Sequence, residues 1–383
     1  MKKYFLLFAF LCALNFQNAT AQTNACHVKI SILTCSSGEE SYATFGHTAI
    51  RIVDSTNHTD FVYGYGTFDF DDPNFLIKFI RGKLDYFLSV DVFENFMLEY
   101  EYEKRSVYEQ ELQLNCEQKQ NIIKALQHNL QGNNRYYKYN FLFDNCTTRI
   151  RNLIFNSIAA YTPNPIVASH TTYRKLLHSY LDRDGKPWTK LGIDILLGSK
   201  TDKVVNVEQS MFLPDYLLKG LDSSKLKSTA ALVLNENFLL KETVLDTGIN
   251  NNIPLIVTII VAVFVIIFSF VKARWARVSI KIFDFVFLFI TGIIGILTAY
   301  LWVDSDHTVM QNNFNLLWAL PTNFFALFFV WKKIKLAKQY FLFATVITIL
   351  LLITWFIIPQ QLNIALFPLT LAGLFRYIQL YRR

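Results

Sequence analysis

Phe45-Gly46-His47-Thr48-Ala49-Ile50-Arg51, followed about a hundred residues later by Phe143-Asp144-Asn145-Cys146-Thr147-Thr148-Arg149, decides how the first half of this chain is read. His47 opens a run with strand character. Cys146 opens a run with helix character, its apolar residues falling at Ile150, Leu153, Ile154 and Ile158. A thiol at the start of a helix faces free N–H groups and the positive end of the macrodipole, which favour thiolate over thiol, and a nearby imidazole completes the activation. Cys146 also lies on the apolar stripe of its own helix, so packing is the competing reading.

Working outward, residues 28–34 form a β-branched run that reads as a strand, and Ser36-Ser37-Gly38-Glu39-Glu40 breaks it. A second strand over 47–53, a turn-rich stretch at 54–58 and a returning strand over 61–70 make a hairpin. Counting back through that turn places His47 opposite 65–67. A residue that orients the imidazole therefore comes from there or just beyond: Asp69 is the nearest carboxylate, with a solvated acid as its alternative, and Tyr65 is the competing choice. Helical periodicity returns over 116–131 and 172–182. Asn145 is the expected N-cap of the Cys146 helix, with Asp144 as the other option, and Asn145 and Thr147 are candidates to support the thiol and an oxyanion. A few strands with a nucleophile-bearing helix packed on them make an α+β fold.

The composition divides the chain. Hydrophobic residues make up 52% and charged residues only 17% of 383 positions, too apolar for a wholly soluble protein. Lys2 and Lys3, an apolar core from Tyr4 to Phe16 and Ala19-Thr20-Ala21 have the layout of a secretory signal over 1–21, leaving an exported domain over 22–250 and a membrane domain over 251–383. Five apolar segments reach spanning length, at 253–271, 279–303, 314–331, 339–358 and 362–380. Basic residues gather in alternate loops: Lys272, Arg274 and Arg277; Lys332, Lys333, Lys335 and Lys338; Arg376, Arg382 and Arg383. By the positive-inside rule that places the exported domain outside the cytoplasm and the C-terminus inside. The net charge of +7 is then a topology signal, and nucleic-acid binding has no support.

With Cys146 a free nucleophile, at most one disulfide forms among Cys26, Cys35 and Cys116. Sequence does not select the pair, and Cys26 with Cys116 is carried forward. The seven histidines are scattered without ligand spacing, and no Gly-rich phosphate loop or G-x-S-x-G elbow is visible, so neither metal nor cofactor is expected. Residues 75–83 mix aromatics with basic residues at amphipathic spacing, fit either for lipid head groups or for an ordinary surface helix. His307, Asn312, Asn313, Asn315 and Trp318 give the start of the third apolar segment an unusual polar density. This is read either as substrate binding, with His307 and Asn313 as candidates, or as a water-exposed loop.

The His47 and Cys146 phrases, with Tyr63-Gly64-Tyr65-Gly66-Thr67-Phe68-Asp69-Phe70 between them, resemble the Lnb N-terminal periplasmic domain, which is similar to permuted NlpC/P60 and lecithin:retinol acyltransferase-like thiol enzymes. The resemblance extends to the membrane half with its His307 and Asn-rich loop. It implies a papain-like, permuted NlpC/P60-like α+β domain in which the His strand precedes the Cys helix, followed by an all-α bundle of five transmembrane helices. It further implies a lipoprotein N-acyltransferase of the bacterial inner membrane. A phospholipid donates a fatty acyl chain to Cys146, His47 acts as base, and the N-terminal amine of a diacylglyceryl-cysteine lipoprotein accepts the chain. A membrane-anchored thiol peptidase or amidase acting on cell-wall peptides and a non-catalytic lipoprotein-binding membrane protein are the alternatives.

Overall fold

The computed structural model describes residues 27–158, 160–162, 164–242, 251–332 and 334–382. The signal segment, Cys26, Lys333, Arg383 and the expected boundary near Asn250 lie outside the described residues.

In chain order the N-terminal part runs β1 (Val28–Cys35), β2 (His47–Asp54), β3 (Thr59–Phe68), α1 (Phe75–Ile80), β4 (Asp85–Val92), α2 (Phe93–Tyr102), β5 (Val107–Leu112), α3 (Cys116–Asn129), β6 (Tyr136–Lys138), α4 (Cys146–Ser157), β7 (Ala160–Tyr161), α5 (Tyr173–Arg183), α6 (Pro187–Leu196), α7 (Val207–Ser210), α8 (Pro214–Ser223), β8 (Lys225–Leu226) and β9 (Val233–Leu240). Seven strands form one antiparallel sheet in the order β6-β4-β3-β2-β1-β5-β9. The β2–β3 hairpin turns at Asp54, whose Oδ1 accepts the amides of Thr56 and Asn57 at 2.9 and 3.1 Å, the local bonding that makes Asp a turn residue.

Side-chain alternation gives the sheet two buried faces. Ile30, Ile32, Ile50, Ile52, Tyr65 and Leu88 pack under α3, α4 and α8 with Ile122, Ile150, Ile154 and Leu217. Leu33, Cys35, Ala49 and Val62 pack on the opposite face under Phe96 and Tyr100 of α2. This is an α and β domain on a large antiparallel sheet, followed by a helical region.

That region comprises α9 (Ile253–Phe270), α10 (Arg274–Val303), the short α11 (Thr322–Ala326), α12 (Lys335–Thr354) and α13 (Leu366–Tyr381). Among the described residues α9, α10 and α12 are long and apolar enough to cross a membrane. α13 spans 16 residues. The 314–331 segment, expected as one spanning helix, is instead a 3-10 turn at Phe314–Leu317 and the five-residue α11. Two causes are visible. Pro321 cannot donate to a helix continuing from before it. The chain also lies directly on α10, where a Cβ at Gly295 would meet Ala319 O at 2.2 Å and one at Gly292 would meet Phe324 N at 2.4 Å.

Arg376 also departs from the sequence reading, which counted it among loop cations. It is 3% exposed and forks onto Asp284 at 2.7 and 2.9 Å, with Ser269 Oγ at 3.0 Å, so it is an internal ion-pair partner joining α13 to α10.

The halves interlock through amides. Helix α6 ends with free carbonyls, as every helix does. Asn313 Nδ2 donates to Ile195 O and Leu196 O at 2.8 and 3.0 Å, Asn315 Nδ2 to Asp194 O and Ile195 O, and Gln360 Nε2 to Leu197 O at 3.0 Å.

Candidate active site

Cys146 is the first residue of α4. Asn145 is its N-cap: Asn145 Oδ1 accepts the Thr148 amide at 2.8 Å, and Thr148 Oγ1 accepts the Asn145 amide at 2.7 Å. This reciprocal box fixes the first turn. The Asn145 Nδ2 donates to Phe141 O and Phe212 O at 2.8 and 3.0 Å, so the whole side chain is spent on holding the helix start.

The sulfur sits where the β2–β3 ladder opens. The last registered pair at this end is Ala49 with Gly64, and beyond it β3 bulges between Tyr65 and Thr67. The Thr48 amide is thereby turned toward the Cys146 sulfur, along with the amides of Thr147 and Cys146 itself and the Thr147 hydroxyl, 3.8 Å away. Burial pushes the Cys146 thiol up, and these donors pull against it by favouring the anion. Gly66, at φ +98°, makes the bulge possible: a Cβ there would stand 3.5 Å from Cys146 Cβ and 3.6 Å from the Tyr139 ring.

His47 is adjacent in sequence to Thr48 and therefore flanks the same opening. Its side chain follows Ala49 onto the α2 face, where the ring Nε2 lies 3.4 Å from the position of a Gly64 Cβ. Among the described residues the two ring nitrogens have no hydrogen-bond partner. Burial, aided by the nearby Arg105 charge, pushes the imidazole down to about 4, so it is neutral and proton-accepting at neutral pH. Arg105 is itself held by Ser36 O at 2.9 Å and Glu103 at 2.7 Å.

His47 has a second thiol opposite it, since Cys35 is its cross-strand partner. Cys35 is fully buried, and burial pushes it up to about 12 against the Tyr100 hydroxyl and the Arg105 charge. It lacks the amide donors that surround Cys146. Both cysteines are free and Cys116 is disulfide-bonded, while the Cys26 side of the expected pairing lies outside the described residues.

Residues 15–179 match the family model described as the Lnb N-terminal periplasmic domain, and residues 247–383 match the Lnb transmembrane domain. The chain belongs to the Lnb family. No curated protein and no solved structure matches it. As a family member it is a membrane protein with a periplasmic N-terminal domain, and the cysteine, the histidine strand and the glycine-containing hairpin all fall within the matched residues.

The other expected residues of this Lnb-type chain are placed as follows. Tyr65 is buried on the α4 face, opposite to the His47 ring, and its hydroxyl accepts Asn129 Nδ2 at 2.7 Å. Asp69 is exposed in the turn after β3, with Oδ1 on the Asp71 amide at 2.9 Å; it is a turn acid and is not brought to the imidazole. Thr147 is buried beside the sulfur, and its hydroxyl meets that of Thr48 at 3.0 Å. His307 lies against α1, Nε2 donating to Phe79 O at 2.8 Å. Asn313 is 1% exposed, and besides its two donor bonds its Oδ1 accepts from Asn315 and Gln360; its amide is used entirely inside the protein.

Sequence reasoning did not single out Thr48 or Tyr139, and it read Arg105, with Tyr102, Glu103, Tyr108 and Glu109, as part of a structural polar-aromatic cluster. The signal for the first was its position between His47 and the opening ladder. For Tyr139 it was the paired strand glycines Gly64 and Gly66, which mark a close approach. A separate cavity of about 620 Å³ lies between the halves, lined by His178, Lys190, Asp194, Trp355 and Asn363 among others; it shares no residue with the Cys146 neighbourhood.

Proposed function

We propose that this chain is a lipoprotein N-acyltransferase of the inner membrane that works through a Cys146 thioester. The observation that carries the reading is the Cys146 sulfur at a capped helix start, met by the Thr48 amide one residue from a neutral His47. A thiol with those neighbours, fixed beside apolar membrane helices, has ester lipids and membrane-bound amines within reach.

In the first half-reaction His47 takes the thiol proton, a step that requires the ring to leave its place on the α2 face, opposite to the sulfur. The thiolate then attacks the ester carbonyl of a phospholipid, and the amide of Cys146 stabilises the oxyanion. The lysophospholipid oxygen leaves with the proton from imidazolium, and the acyl group remains on sulfur. In the second, the α-amine of a diacylglyceryl-cysteine attacks the thioester, His47 accepts the amine proton, and Cys146 is released as the thiol with an amide formed. Asn145 and Thr147 hold the nucleophile in place. The exported domain then faces the periplasm and the C-terminus the cytoplasm.

Mass spectrometry of lipoprotein N-termini in cells with and without the protein tests this reading. Gain of one acyl group on the N-terminal amine supports transfer. Unchanged N-termini together with altered cell-wall peptides would instead support a thiol amidase.

A further inference from the structure

Helix α1 has no buried residue, and it exposes Leu76, Ile77 and Phe79 at 64%, 56% and 47%, with Phe70 beside them at 65%. Apolar surface gathered in this way marks an interaction site. The position of α1 identifies what covers it. Arg81 reaches Asp304 at 3.2 Å, the Asp306 amide donates to Arg81 O at 2.9 Å, and His307 donates to Phe79 O. Asp304 directly follows α10, a helix long and apolar enough to cross a membrane. These bonds hold α1 at the end of a membrane helix, where hydrocarbon gives way to head groups. Lys78, paired with Asp72, Arg81, paired with Asp304, and the exposed Lys83 flank the apolar side chains, giving the polar margin of a helix that lies in a membrane interface.

An aromatic series leads inward from this patch. Phe79 and Phe75 are 6.1 Å apart between ring centroids, Phe75 and Phe68 5.8 Å, Phe68 and Tyr86 5.4 Å, and Tyr86 and Tyr139 4.7 Å. Tyr139 and Cys146 then stand together over Gly66. Exposure falls along the way, from the open Phe79 through the half-buried Phe75, Phe68 and Tyr86 to the buried cysteine.

We propose that α1 is inserted in the membrane interface on the side of the N-terminal domain, and that the ring series from Phe79 to Tyr139 is the path along which one phospholipid acyl chain passes to Cys146. The path rests on the acyl-transfer reading, whereas the insertion does not. The phenylalanine rings offer a lipid chain contact area with no polar group to desolvate, and Tyr86 and Tyr139 add their ring faces with a hydroxyl tip at the end near the thiol.

The test uses the full chain in phosphatidylethanolamine and phosphatidylglycerol vesicles. With Ile77→Trp, the emission added over the unmutated protein is quenched at least about twofold by lipid brominated on its acyl chains and is insensitive to aqueous iodide. Quenching by iodide and not by bromolipid overturns the insertion. With Phe75→Ser, Cys146 acylation by dipalmitoyl phospholipid falls at least about tenfold relative to acylation by a water-soluble butyryl ester, the scale of lost apolar substrate contacts. Equal slowing with both donors overturns the path. Absence of any Cys146 adduct from either donor in the unmutated protein overturns the acyl-transfer reading and the path together, and the quenching result still reports the insertion.

Discussion

The hydroxyls of Thr48 and Thr147 meet at 3.0 Å, both buried, joining the residue after His47 to the residue after Cys146. This contact fixes the β2 end against the α4 start and holds the Thr48 amide toward the sulfur. Thr48→Val removes this bond and leaves the buried Thr147 hydroxyl only the longer contact with the Cys146 sulfur, at a cost of about 1–3 kcal/mol. The expected outcome is a lower melting temperature and slower alkylation of Cys146, read by thermal unfolding and thiol labelling.

Gly66→Ala places a methyl group 3.5 Å from Cys146 Cβ on a backbone at φ +98°, strained for any L residue. Strain at a conformation of this kind costs about 1–3 kcal/mol. Acyl transfer should fall by at least about tenfold, because the bulge that lets the Thr48 amide reach the sulfur shifts with it. Gly192→Ala, where a Cβ meets nothing within 4 Å, is the matched control and should leave activity unchanged.

The histidine makes a pH prediction. Its pKa is lowered on folding, from 6.5 to about 4, by burial first and by the Arg105 charge second. The unfolded chain therefore binds more protons between those values, and stability rises with pH across that window and is lost as pH falls through it. His47→Gln should flatten this part of the melting-temperature profile. His47→Ala should slow transfer at least about a hundredfold, the usual loss of a general base.

Much of this arrangement is legible in the sequence because its causes are local. Strand β2, the Asp54 turn and the Asn145 cap depend on residues within a few positions of one another, and they fall where alternation and capping chemistry put them. What escapes is set by long-range contact. The 314–331 segment is apolar enough for a helix, yet Gly292 and Gly295, distant in sequence, give it a groove to lie in. Arg376 looks like a topology cation until Asp284 is found beside it. The polar density at Asn313 looks like substrate binding or exposed loop, and nothing local shows that the carbonyl end of α6 requires those amides. Asp69 was the nearest carboxylate in sequence, but the turn after β3 uses it.

The Asn313 placement has its own outcome. Asn313→Ala strips donors from the Ile195 and Leu196 carbonyls, and the melting temperature should drop. The KM for lipid donor should stay as it was, because the amide is spent inside the protein. A raised KM with unchanged stability would return Asn313 to the substrate.

Acylation of Cys146 decides the mechanism most directly. The purified full-length protein is incubated with phospholipid labelled in its acyl chain, and the peptide containing Cys146 is followed by mass spectrometry before and after neutral hydroxylamine. The expected result is one acyl group on Cys146, removed by hydroxylamine as a thioester is, absent from Cys146→Ala and strongly reduced in Cys146→Ser, whose hydroxyl is far less acidic. Label on another side chain of active protein, or undiminished transfer by Cys146→Ala, would contradict it.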